Sequence, residues 1–373
     1  MDFNLSKKHI LLQELFRNFA QKEVKPLAAE IDEAGRFPYE TAEKLAKAGM
    51  MGVPFSADNL AYALCVEELS KVCAATGVIV SAHTSLCAAP IHESGTAEQK
   101  EKYLTKLASG EWIGAFGLTE AGAGTDAAMQ QTKAVLEGDN YILNGTKIFI
   151  TNADAAHVYI IIAMTDVSQG TRGLSAFIVE KDFVGFSIGK KESMMGIRGS
   201  NTCELVMENC IVPKENLLGK EGQGFKIAMQ TLDGGRVGIA AQALGIAQGA
   251  IDATVEYVRE RKQFGKRISQ FQNTQFELAD MQTKVDAARL LTYRAAVMKD
   301  NGERFSSQAA MAKLFASEVA SDVTRRCLQL HGGYGYSKEY PIERMMRDAK
   351  ITEIYEGTSE VQKMVISAGM KVN

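Results

Sequence analysis

The sequence predicts an α+β chain of more than one domain, with helices first, a small sheet in the middle and helices again. Apolar residues recur at helical spacing in both outer segments. Between them, short β-rich runs follow one another with turns and no helix, the pattern of a small antiparallel sandwich or barrel. The 373 residues also exceed what one ordinary core holds. The divisions predicted are 1–112, 113–220 and 221–373.

In the first segment Leu12, Leu15, Phe16 and Phe19 fall on one helical stripe. "LAYALCVEELSKVCAAT" repeats the pattern up to Gly77, and Pro26, Pro38, Pro54 and Pro90 punctuate the segment. In the middle, "NYILNGTKIFIT" sets Asn144-Gly145 between β-rich runs and predicts a hairpin turn there. "VYIIIAMTD", "GLSAFIVEKD" and "TCELVMENCIVP" read as further strands. In the last segment "FELADMQTKVDAARLLTYRAAVMKDNG" carries an apolar stripe to a stop at Gly302. "SQAAMAKLFASEVASDVTRRCLQLHGG" does the same to Gly332-Gly333, and helices of this kind make a bundle.

Composition narrows the function. A net charge of -3 argues against a nucleic-acid surface, and no apolar run reads as long enough to span a membrane. "MDFNLSKKHILLQELF" has an early acid and no apolar core, so it reads as neither a signal nor an intact transit peptide. The six cysteines form no CxxC pair and the five histidines no HExxH. The thiols are therefore expected to be reduced and mostly buried, and no metal site is predicted.

Several stretches carry candidate chemistry beside a plainer reading. "GLTEAGAGTDA" matches GxGxxA, but the chain runs on into strand signals where a dinucleotide fold needs a full helix. It is an ordinary turn or a place where backbone N–H groups approach a ligand. "RKQFGKR" is a basic helix end or a phosphate contact, and "LDGGR" reads as a turn with a surface ion pair between Asp233 and Arg236. "QLHGGYGY" is a glycine helix stop or a close backbone approach. In "IYEGTSE", Thr358 or Ser359 can cap the last helix with Glu360 in its first turn. Glu356 precedes the cap and is not needed for it, so a catalytic base is the sharper reading.

Taken in order, "GLTEAGAGTD", "KIFIT", "MMGIRGS", "LDGGRVGIAAQALGIAQGA", "ERKQFGKRISQFQ", "QLHGGYGY" and "IYEGTSE" resemble the acyl-CoA dehydrogenases over essentially the whole chain, the short-chain, butyryl-CoA type most closely. The resemblance implies a helical N-terminal domain, a middle antiparallel β-barrel and a C-terminal four-helix bundle. It also implies FAD, a homotetramer, and electrons passed to an electron-transferring flavoprotein, in the bacterial cytoplasm or, for a processed eukaryotic form, the mitochondrial matrix. Glu356 aligns with the base that takes the α-proton of an acyl-CoA while the β-hydrogen leaves as hydride to the flavin, giving a trans-2-enoyl-CoA. Phe116, Leu118, Thr119, Thr125, Phe149, Ile150 and Thr151 match positions on the flavin, and Thr125 also one on CoA. Arg261, Phe264, Gln272 and Gln329, Leu330, His331, Gly332 and Gly333 match groups that hold the FAD of a neighbouring subunit. Thr358 and Glu360 match contacts to the adenosine half of FAD, and Asp233, Arg236, Tyr355 and Gly357 match the substrate site.

Two departures stand out. Phe149 stands where relatives often have Trp, which keeps an aromatic face but loses an N–H donor. After Pro54-Phe55 a glycine-rich loop is shorter than in relatives by roughly ten residues. The alternatives are an acyl-CoA oxidase, which reduces O₂ and usually carries an extra C-terminal helical domain, and a non-catalytic, nucleic-acid-binding member of the fold, which needs a basic face.

Overall fold

The computed structural model describes residues 4–56 and 58–371. Eight α-helices open it: α1 (Lys7–Phe19), α2 (Ala28–Ala34), α3 (Tyr39–Lys47), α4 (Asn59–Ser70), α5 (Ala74–Ser81), α6 (Ala89–Ser94), α7 (Ala97–Gln99) and α8 (Thr105–Ser109). Ser6 caps α1 by accepting from the His9 N–H, and Asp58 caps α4 by accepting from the Ala61 N–H. Ala57 lies outside the described residues, in the region where the shorter loop is expected. The stretch Ala74–Ser94 is apolar and long enough, by composition, to cross a membrane, contrary to the sequence expectation; here its most apolar 18-residue window is buried in the protein, and only its end, at His92 and Glu93, is exposed. Its small residues let helices meet closely: a Cβ on Gly77 would lie 2.0 Å from Ser70 Oγ.

The sheet holds β1 (Gly114–Gly117), β2 (Lys133–Glu137), β3 (Asn140–Ile150), β4 (Val158–Met164), β5 (Leu174–Glu180), β6 (Phe186–Lys191), β7 (Cys203–Pro213) and β8 (Leu217–Leu218). The order is β6-β7-β3-β2-β4-β5-β8, with β1 also on β4. This corrects the expected closed antiparallel barrel. The path ends at β6 and at the two-residue β8, which do not pair with each other, and β1 and β2 pair with β4 in parallel. Asn144-Gly145 is not a turn either. Both lie inside β3, at a register shift against β7, where a Cβ on Gly145 would lie 2.4 Å from Thr132 Oγ1. The β2–β3 turn falls instead at Gly138-Asp139, with Gly138 at φ +61°.

The C-terminal part has α9 (Gly224–Glu260), α10 (Gln272–Asp300), α11 (Ser306–His331), α12 (Ile342–Ile351) and α13 (Ser359–Met370). Three helices are long and two short, and α4 packs among them, so the expected four-helix bundle is a larger helical assembly. The stops at Gly302 and Gly332 are as predicted, both at positive φ. "LDGGR" is no turn: it lies inside the 37-residue α9, and Arg236 is buried. "RKQFGKR" leaves α9 as a small hairpin, β9 (Lys262–Gln263) against β10 (Lys266–Arg267), with Phe264-Gly265 at its turn. The first turns of α9 pack on the sheet's apolar face and its middle joins the helical core, so this helix ties the layers together.

Candidate functional site

The loop between α12 and α13 turns on two successive left-handed residues, Glu356 at φ +53° and Gly357 at φ +93°. Glutamate pays a steric penalty there, and such strain concentrates at functional positions. Three contacts hold the turn. Thr358 caps α13 by accepting from the Val361 N–H, Lys313 Nζ donates to the Gly357 carbonyl at 2.6 Å, and Gln362 Nε2 donates to the same oxygen at 2.7 Å and to the Glu356 carbonyl at 3.3 Å.

The Glu356 side chain is packed into the protein by this turn. Its residue surface is part-exposed overall, but Oε2 is sealed from solvent and has no hydrogen-bond partner. Gly235 makes the room: a Cβ there would lie 2.0 Å from Oε2 and 2.8 Å from Leu86 Cδ2. Two glycines in the middle of a helix are costly, and this close approach accounts for one of them. Burial pushes the Glu356 carboxyl up to about 8, against the pull of Lys313 and then Arg236. Arg236 Nη1 donates to Asp233 Oδ1 at 2.5 Å, and the other Asp233 oxygen accepts from the Ser306 hydroxyl.

A cavity of about 310 Å³ opens beside this loop. It brings together Phe116, Leu118, Thr119, Thr125, Phe149, Ile150, Thr151, Arg236, Tyr355, Glu356 and Gly357. Asp233 stands behind it on Arg236, while Thr358 and Glu360 sit at the start of α13. Phe149 takes φ +58° and stays 57% exposed, an aromatic face left open at the cavity. A Cβ built on Gly122 or Gly124 meets nothing, so packing within the chain does not require either glycine. Behind the loop, the fully buried Lys147 donates to the Leu118 carbonyl (3.1 Å), to Glu120 Oε1 (2.6 Å) and to Gln130 Oε1. Glu120 also accepts from the Gln131 and Thr132 N–H groups. Burial pushes Lys147 down to about 8, with Glu120 pulling it back up.

Arg261, Gln329, Leu330, His331, Gly332 and Gly333 lie elsewhere. They line a second depression of about 640 Å³ that shares no residue with the first. The Arg261 guanidinium stands 5.1 Å over the Tyr334 ring. Phe264, at the hairpin turn, is 93% exposed, and Gln272 begins α10. A groove of about 1530 Å³ between α1, α4 and α9 contains neither Glu356 nor the Phe116–Thr125 loop.

Sequence reasoning missed Lys313, Gln362, Lys147 and Gly235. Only Lys313 left a signal: it falls on the buried stripe of α11 with Ala309, Ala312, Ala316 and Ala320, where a lysine is out of place.

Comparison with known proteins agrees along the chain. The "Acyl-CoA dehydrogenase, N-terminal domain" family matches residues 6–111, the middle domain 115–210 and the C-terminal domain 222–371. The chain is 60% identical over 374 residues to the "Acyl-CoA dehydrogenase, short-chain specific" of Clostridium acetobutylicum, covering 98% of this chain and 99% of that one. The solved structure of butyryl-CoA dehydrogenase from Megasphaera elsdenii superposes with a TM-score of 0.98 at 50% identity, over 100% of both chains. A chain of the structure described as "Electron transferring flavoprotein of Acidaminococcus fermentans: Towards a mechanism of flavin-based electron bifurcation" does so at 0.99 and 54%, again over 100% of both. With domain matches over nearly its whole length and these identities, the chain belongs to the acyl-CoA dehydrogenase family.

Proposed function

We propose that this protein is an FAD-dependent dehydrogenase that converts a short-chain acyl-CoA to the trans-2-enoyl-CoA, with Glu356 as the α-proton base. One observation carries the assignment. A buried carboxylate without a partner, held by a left-handed turn, shares a cavity with the Phe116–Thr125 and Phe149–Thr151 segments. Family membership and the short-chain and butyryl-CoA relatives support the substrate class.

The residues fit a flat, polar-edged cofactor. The exposed Phe149 face, the bare backbone at Gly122 and Gly124 and the Thr119 and Thr125 hydroxyls would hold the flavin part of FAD. FAD, when bound, supplies the two-electron acceptor for the hydrogen lost from the β-carbon. The chain's own part is the proton. An α C–H beside a thioester is a very weak acid, so the base must be strong at neutral pH. Desolvation makes Glu356 such a base, and its own backbone N–H would donate to the thioester oxygen as charge develops there. Gly357, at φ +93°, would let the backbone come close to that oxygen, and Arg236 with Asp233 would meet the CoA end.

The Arg261–Gly333 depression would take part of an FAD held mainly by a second copy of the chain, within a homotetramer. Phe264 on its exposed hairpin and the bare Gly333 support that reading. The electron acceptor would be an electron-transferring flavoprotein, in the cytoplasm of a bacterium such as those that carry the relatives above, or in the mitochondrial matrix for a processed eukaryotic form. The domain divisions proposed are 1–112, 113–220 and 221–373. The test is an anaerobic titration of purified protein with acyl-CoAs of increasing chain length, following flavin bleaching. Bleaching by butyryl-CoA that fades with longer chains is expected. Protein that neither holds FAD nor bleaches would end the proposal.

A further inference from the structure

Two buried cations stand beside the Glu356 carboxylate, and they are held differently. Arg236, on α9, is paired with Asp233. Lys313, on α11, is fully buried among alanines, and its ammonium donates to the Gly357 carbonyl oxygen rather than to a carboxylate. A buried ammonium without a direct counter-ion is costly to a fold. The hydrogen bond alone does not explain its presence, because the neutral Gln362 amide already donates to the same oxygen at 2.7 Å. What Lys313 adds beyond Gln362 is charge.

We propose that Lys313 is a positioning residue for proton abstraction: its buried ammonium fixes the Glu356–Gly357 turn through the Gly357 carbonyl and sets a positive charge next to the segment that carries the Glu356 carboxylate. The inference rests on Glu356 being the base. The turn aims both of its carbonyls at donors, Glu356 O at Gln362 and Gly357 O at Gln362 and Lys313. Those bonds offset the cost of a non-glycine residue at positive φ.

The groups facing this pair come from α4, α9, α11, the α12–α13 loop and α13. Arg236 reaches Glu356 from α9 and Lys313 from α11, with the Tyr62 and Tyr355 phenols close by. Glu356, Glu353 and, from the first turn of α13, Glu360 face Lys313, together with Arg236. Of the two cations, Lys313 pulls harder on Glu356. Burial pushes Lys313 itself down to about 8, with Glu356 pulling it back up, so each group sustains the charge of the other.

The test uses FAD-loaded enzyme with wild-type sequence, Lys313→Gln, Lys313→Met, Lys313→Arg and Glu356→Gln. Flavin reduction by butyryl-CoA is followed anaerobically by stopped flow from pH 6 to 10, with flavin content and thermal midpoint measured on each preparation. Lys313→Gln keeps a donor and loses the charge. Its acid limb should move up by about one pH unit or more, which lowers the rate at pH 7 about tenfold and restores it toward wild type at high pH. Lys313→Met should shift the limb at least as far, and Lys313→Arg should hold it near wild type. A neutral variant with an unmoved limb, or with the same loss at every pH, overturns the proposal, since a purely structural role predicts the second. Glu356→Gln separates the two readings: if it reduces flavin at the wild-type rate, the base assignment falls, whatever Lys313 does.

Discussion

The cavity beside Glu356 and the depression at Arg261 differ in what they lack. The one beside Glu356 is walled by the chain's own sheet, by α9 and by the α12–α13 loop, and its buried charges answer one another. The depression at Arg261 and Gly333 is shallow and open, with an arginine stacked on a tyrosine and a phenylalanine left in solvent nearby. The first is electrostatically finished within one chain and needs only ligands. The second offers the Arg261 guanidinium and the bare backbone at Gly332-Gly333 on an open surface. A site of that kind is completed by another molecule, which is why cofactor binding and subunit assembly are expected to fail together there and separately at the first.

The largest expected effect falls on the closed site alone. Glu356→Gln keeps the shape and removes the base, so flavin reduction by butyryl-CoA should drop by about 10²–10⁴-fold or more while FAD and acyl-CoA binding persist. Single-turnover kinetics on FAD-saturated protein checks it. Loss of FAD along with activity would show that the two cavities are less independent than they look.

The wall of the closed site can be broken from behind. Lys147→Met takes the counter-ion from the Glu120 carboxylate, which keeps only its two backbone donors and is 7% exposed against 0% for Lys147. Removing one partner of a buried pair costs about 3–5 kcal/mol, which urea unfolding would read. Lys147→Met/Glu120→Leu should recover much of that loss, since an apolar pair of similar volume leaves no buried charge. A double variant as unstable as the single would mean the damage is packing, not charge.

How far the sequence foretold this contrast depends on the range of the contacts. Glu356 was legible because the local capping chemistry used Thr358 and left the glutamate without a task. The strands of β3, β4, β5 and β7 were legible from their own composition. The glycine signals misled twice. Asn144-Gly145 and Gly234-Gly235 read as turns, yet each sits inside a regular element because a distant group, Thr132 or Glu356, fills the space a side chain would take. The roles of Lys313 and Lys147 stayed hidden for the same reason: the groups they hold come from elsewhere in the fold. The open ends of the sheet were not legible, since strand signals carry no information on whether the first and last strands meet.

The open site gives the next effect. Arg261→Ala should lower FAD retention and loosen the oligomer in the same preparation, because a cofactor shared between chains links the two equilibria. Flavin content and sizing are measured side by side at several protein concentrations. Full FAD occupancy in a stable monomer would remove the cross-subunit role and leave the depression without an assignment.

The smallest effect is on stability and comes from the closed site again. The Glu356 carboxyl is raised in the folded protein to about 8 from an ordinary value of 4.5. A group with a raised folded value binds more protons folded than unfolded, so its favourable contribution is complete below the unfolded value and is lost as pH rises through the folded one. Glu356 therefore costs stability progressively from about pH 4.5 to 8, and the cost levels off above that. Glu356→Gln has no charge to bury and escapes the cost. Its thermal midpoint relative to wild type should climb between pH 6 and pH 9 by a few degrees. Removing Lys313 acts in the opposite sense, because it withdraws the charge that offsets the burial of Glu356, so in Lys313→Gln the same Glu356→Gln change should gain more. Additive midpoints across the four proteins of that cycle would mean the two side chains do not sense each other, and the closed site would then be a packing arrangement rather than an electrostatic one.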